Sequence, residues 1–157
     1  MSKGIYITSA EPRSGKSVVV LGVMEMLSGS MGKVGFFRPV VQDEKKPDNI
    51  TNLIIRRYGL KTPDAMLYGC SYEVARDMLV RDRDEELLKL IMEKYKALEG
   101  EYDVIVCAGS DFAGHTAALE FDINARIANN LGCAMLPVVN GYGRDTMQVV
   151  NAAQGLL

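Results

Sequence analysis

The 157 residues carry 18 Lys plus Arg against 20 Asp plus Glu, a net charge of -2, with 48% hydrophobic and 24% charged residues. That composition is that of an ordinary globular protein of one domain, long enough to bury roughly 70% of its unfolded surface. The dispersed basic residues exclude a nucleic-acid footprint, no apolar run approaches the ~18 residues of a membrane span, and Cys70, Cys107 and Cys133 are too few and too far apart for a disulfide framework or zinc site. The cysteines therefore predict a reducing, cytoplasmic setting.

In chain order, a strand is expected over 4–8 (GIYIT), then a turn containing SGKS, then a helix over 16–30. A second apolar run, VGFFRPV, gives a strand over 34–40, followed by the polar surface loop QDEKKPDNI. Helices are expected over 48–58, 72–79 and 84–98, the last from the three- and four-residue steps of Leu87, Leu88, Ile91, Tyr95 and Leu98. A strand over 103–109 (DVIVCAG), a helix over 122–131, a strand over 133–139 (CAMLPVV) and a helix over 145–156 complete the series. Gly29, Gly32, Gly59, Gly100 and Gly132 fall at expected helix stops, where a left-handed residue closes the last turn. Near-continuous apolar strands alternating with helices predict a three-layer, doubly wound α/β fold with a mainly parallel four-stranded sheet. The apolar NAAQGLL ending beside such a small sheet suggests that residues 1–157 form a single domain, a fragment of a longer protein.

Strand, glycine-bearing turn and helix form the context in which GKS becomes a phosphate site, because backbone N–H groups at a helix start carry the positive end of its dipole. Gly15 lets the backbone approach a phosphate, Lys16 reaches terminal oxygens, and Ser17 offers a hydroxyl to magnesium. Ala10 stands where the standard loop has its first glycine. The alternative is an exposed turn in which Ser14 caps the helix and Lys16 is solvated. His115, in FAGHTAA, has no nucleophile motif beside it and reads as a loop or cap residue.

The loop TSAEPRSGKS resembles the longer phosphate loop of dethiobiotin synthetase, and FFRPVVQ resembles the K-P-V that follows that family's second strand, with Arg38 in place of the lysine. The closer resemblance is to the N-terminal dethiobiotin-synthetase-like P-loop domain of long bacterial phosphate acetyltransferases, carried by VCAGSDF, ALEFDINARIANNLGCAMLPVVNG and VVNAAQGLL across essentially the whole chain. The resemblance implies a P-loop NTPase-like fold and a nucleotide or anion site at Glu11, Arg13, Ser14, Gly15, Lys16, Ser17 and Arg38, with Ser17 and Asp48 toward Mg²⁺ and ATP as the nucleotide. Residue type alone leaves Asp48 two roles, metal ligand or N-cap of the following helix. Ala108 occupies the position of the family's metal-binding glutamate, and Asp111 lies three residues beyond it. Glu11, longer than the family aspartate, and Arg38, without the compact ammonium of lysine, also alter the loop's surroundings.

These departures point to a domain without chemistry of its own, regulating or assembling a phosphate acetyltransferase. The implied partners are a C-terminal acetyltransferase domain of the same chain, which interconverts acetyl-CoA and acetyl phosphate, and further copies in a homo-oligomer. The alternative is an ATP-dependent ligase of the dethiobiotin synthetase type.

Overall fold

A computed structural model of the chain describes residues 3–9, 11, 14–46, 48–110 and 117–156, with only the backbone of 117–119. Ala10, Arg13, Asp111 and His115 lie outside the described residues. Strands β1 (Lys3–Ser9), β2 (Val34–Val41), β3 (Tyr68–Ser71), β4 (Val104–Ala108) and β5 (Ala134–Val138) form one sheet in the order β3-β2-β4-β1-β5. All four pairings are parallel, with Lys3 opposite Val104, Val34 opposite Val104, Ile5 opposite Ala134 and Arg38 opposite Tyr68.

Helices α1 (Lys16–Ser30), α2 (Asn49–Tyr58), α3 (Tyr72–Val80), α4 (Asp84–Glu99), α5 (Ala117–Asn130) and α6 (Thr146–Gln154) connect or follow the strands. Alternation along each strand feeds two cores. Ile7, Phe36, Val104 and Val106 face α1 and α2, where Val20, Met24, Leu27 and Ile54 meet them. Tyr6, Phe37, Ile105 and Cys107 face the opposite layer, where Ala75 of α3, Ile91 and Tyr95 of α4, and Ile127 of α5 pack. Phe37 and Tyr95 meet edge to face, with ring centroids 5.6 Å apart. Three acidic residues, Asp84, Glu85 and Glu86, occupy the first turn of α4, where its dipole favours negative charge.

The sheet has five strands rather than the expected four. The added strand, YGCS, has only four residues and carries no alternation to announce it; it is defined by its pairing with β2. The glycine rule held at Gly59 and Gly132, which have positive φ. It failed at Gly100, which is right-handed helical, and at Gly29, which lies inside α1; Gly32 also lies outside the positive-φ set. The helix expected over 122–131 begins earlier, at Ala117, and the one expected over 145–156 ends at Gln154.

Candidate functional site

The C-terminal ends of β1, β2, β4 and β5 lie along one edge of the sheet, as parallel pairing requires. In such folds ligands sit beyond that edge, where successive crossovers diverge. Gly15, with φ 83° and ψ 14°, makes the left-handed turn into α1 and occupies its N-cap position. Its carbonyl accepts from Val18 and Val19 N–H at 2.9 and 3.2 Å. Among the described residues no side-chain cap hydrogen bond forms at Gly15, so the Ser14 cap of the exposed-turn alternative is not found there. Ser14 is half-buried and Ser17 exposed. The amides of Lys16 and Ser17 precede the first hydrogen bonds of the helix and lie at its positive end.

Lys16 stands on the buried stripe of α1, in line with Val20, Met24 and Leu27. Four-residue spacing therefore lays the lysine stem against the core and delivers its ammonium to the sheet edge. Only 9% of the residue is exposed, and Nζ donates to the Gly109 carbonyl at 2.7 Å. The solvated lysine of the exposed-turn alternative is not what the fold contains.

Around that carbonyl lies a buried polar network. Pro39 has no N–H, and the β2–β4 pairing ends at Phe37 opposite Cys107. Beyond it the Ser110 hydroxyl acts in both directions, accepting from Val40 N–H at 3.1 Å and donating to the Val40 carbonyl at 2.7 Å. Asn124, fully buried on α5, accepts at Oδ1 from the Tyr6 hydroxyl at 2.8 Å and from Ser110 N–H at 3.0 Å. Its Nδ2 donates to the Ser110 and Glu120 carbonyls, both at 2.9 Å. Ala108, at the end of β4, is 2% exposed and packs in the α1/α2 core, offering no ligand atom.

Arg38 and Asp48 are brought together. Arg38 Nη1 donates to the two carboxylate oxygens of Asp48 at 3.3 and 3.2 Å, while Arg38 Nε is buried without a partner among the described residues. Asp48 is also the N-cap of α2, accepting from Thr51 N–H at 3.2 Å and Thr51 Oγ1 at 2.8 Å. Glu11 forms a two-pronged pair with Arg144 of the β5–α6 loop at 2.6 and 2.7 Å and accepts from Asn140 N–H at 3.3 Å. Hydrogen bonds from Arg144 hold its carboxyl below the ordinary glutamate range.

Among the described residues, the edge thus brings together helix-start amides and the Lys16 ammonium, groups chemically suited to an anion. Its provision for a hard cation is thinner: Ser17 supplies a hydroxyl, and the Asp48 carboxylate is shared with a guanidinium and a helix cap. Among the described residues no group of three or more His, Cys, Asp or Glu side chains converges as a metal would require. The sequence reading missed Tyr6, Ser110, Asn124 and Arg144. An asparagine inside a helix, at a position where its helix packs on the sheet, was the available signal for Asn124.

A family profile described as an AAA domain, AAA_26, matches residues 3–156. The phosphate acetyltransferase of Nitratidesulfovibrio vulgaris is 41% identical over 156 residues, covering 98% of this chain and 22% of that protein. That of Synechocystis sp. is 32% identical over 158 residues, covering 98% of this chain and 23% of the other. The chain spans about a fifth of the length of the curated relatives it matches. A solved apo GTPase from Pyrococcus abyssi matches with a TM-score of 0.41 and 11% identity over 97% of this chain and 72% of that one. Among the described residues no helix is long and apolar enough to cross a membrane.

Proposed function

Because the chain belongs to the AAA_26 family of AAA domains, we propose that it is a regulatory or assembly module of a phosphate acetyltransferase, with an anion-binding loop and no turnover of its own. The observation that carries this reading is the alignment of nearly the whole chain with about a fifth of proteins bearing that name. The reaction, transfer of the acetyl group of acetyl-CoA to phosphate to give acetyl phosphate and free CoA, then belongs to the remaining four fifths, and this module modulates its rate or its oligomeric state.

The loop's part is to bind. Amides at the start of α1 and the ammonium of Lys16 meet a phosphate, free or at the end of a nucleotide such as ATP. A phosphate held by amides needs no chemistry to follow. Glu11, Arg13, Ser14 and Arg38 are the other candidates for the loop's ligand shell. Ser17 and Asp48 are the candidate ligands for Mg²⁺. Ala108 supports the loss of ligase chemistry, since an alanine contributes neither charge nor oxygen to a cation.

The test is an assay of the purified chain beside the full-length protein. The chain alone should form no acetyl phosphate and hydrolyse ATP no faster than buffer, whereas deleting it from the full-length enzyme should change rate or assembly state. A Mg²⁺-dependent ATPase or ligase rate in the isolated chain, abolished by Lys16→Ala, would overturn the reading in favour of the dethiobiotin-synthetase-like ligase.

A further inference from the structure

We infer that Asn124 is the positioning residue for Lys16, acting through the peptide bond between Gly109 and Ser110. This rests on the anion-loop reading and adds to it the device that places the cation.

The Ser110 N–H and the Gly109 carbonyl belong to one planar trans peptide unit, so they point in opposite directions. Asn124 Oδ1 takes the N–H at 3.0 Å, and Lys16 Nζ meets the carbonyl at 2.7 Å on the other side. Fixing one end of the unit aims the other. The unit is also held at its flanks, with Gly109 N–H donating to the Ile7 carbonyl at 2.7 Å and the Ser110 carbonyl accepting from Asn124 Nδ2 at 2.9 Å.

Such a clamp is needed because glycine otherwise lets the unit flip at little cost. Glycine is nevertheless required there: a Cβ on Gly109 would stand 2.8 Å from Asn124 Oδ1, 3.0 Å from Thr8 Oγ1 and 3.1 Å from the Ile7 carbonyl. Asn124 spends both acceptor sites and both donors in this arrangement, and it is fully buried. The Gly109 carbonyl, just past the end of β4, thereby takes the ammonium.

A lysine held in place loses less freedom when it meets an anion. Immobilising a side chain of that kind costs about 0.5–1.5 kcal/mol, so releasing Lys16 should weaken anion binding by about 2- to 10-fold.

The experiment is calorimetric titration of the purified chain with pyrophosphate for wild type, Asn124→Ser, Lys16→Ala and the double variant. Asn124→Ser should weaken binding by that factor in the wild-type background and leave it unchanged in the Lys16→Ala background. An equal loss in both backgrounds would overturn the inference and leave Asn124 a purely structural residue. Gly109→Ala, which pushes the same peptide off Asn124, provides an independent variant if Asn124→Ser does not fold. Should wild type bind no pyrophosphate, the anion reading fails alone: the ¹⁵Nζ ammonium resonance of Lys16 reports the positioning directly. It should be protected from exchange in wild type and lose that protection in Asn124→Ser or Gly109→Ala; identical protection would overturn the inference.

Discussion

Replacing Asp48 separates its structural work from any role in binding a cation. In Asp48→Ala, α2 loses its cap to Thr51 N–H and Arg38 loses its carboxylate. A lost cap costs about 0.5–2 kcal/mol. Breaking a fully buried pair costs about 3–5 kcal/mol, but the two side chains here keep 14% and 21% exposure, so the charge contribution falls toward the low end of that range or below it. The expected loss is about 2–4 kcal/mol. Asp48→Asn keeps an oxygen for the cap and removes the charge, and should lose about 1–2 kcal/mol. Urea unfolding at neutral pH without divalent ions measures both, and an Arg38→Met background completes a double-mutant cycle. Equal losses for Asp48→Asn and Asp48→Ala would refute the capping contribution. An Asp48→Asn cost unaffected by Arg38→Met would refute the ion-pair contribution.

Two further expectations concern ionisation. Glu11 is held below the ordinary glutamate value by hydrogen bonds from Arg144, so the stabilisation from that pair is complete above about pH 4.3 and disappears as pH falls through the lower folded value; a ¹³C titration of the Glu11 carboxyl should show the depressed midpoint, and Arg144→Ala should raise it, with an unmoved midpoint counting against the pair. Among the thiols, burial pushes Cys70 up to about 12 and drives Cys107 up as well, whereas a hydrogen bond from Cys107 lowers half-buried Cys133; native-state iodoacetamide labelling at pH 8, read by mass spectrometry, should modify Cys133 first, and Cys70 labelling at the same rate would refute this.

The parts of the fold visible in the sequence are those with a local cause. The apolar stripe of α4 and the continuous runs of β1, β2 and β4 carry their own periodicity, and the GKS turn carries its own glycine. β3 was not visible because a four-residue strand containing Gly69 has almost no intrinsic preference, and contact with β2 and α4 supplies it: a Cβ there would stand 2.5 Å from the Pro39 carbonyl and 3.0 Å from Ile91 Cγ1. At the candidate site, residue type identified Lys16 and left Asp48 open between two roles. Asn124 and Arg144 were missed because their partners are far away in sequence: Asn124 meets Tyr6 across 118 positions, and Arg144 meets Glu11 across 133. No local pattern encodes a hydrogen bond of that span.

The strand order has a consequence for how the chain is made. β1 leaves the ribosome before the other strands of this sheet, yet its neighbours in the sheet start with Val104, opposite Lys3, and Ala134, opposite Ile5. At about 5–20 residues per second, β1 waits roughly 5–20 s before its first partner strand has been synthesised. Meanwhile β2, β3 and the helix between them can assemble from nearby sequence, because closing short loops costs less entropy. The segment holding the lysine is therefore translated early and given its scaffold late. During that interval Ile5, Tyr6 and Ile7 stay uncovered on the nascent chain, a natural stretch for a chaperone to hold.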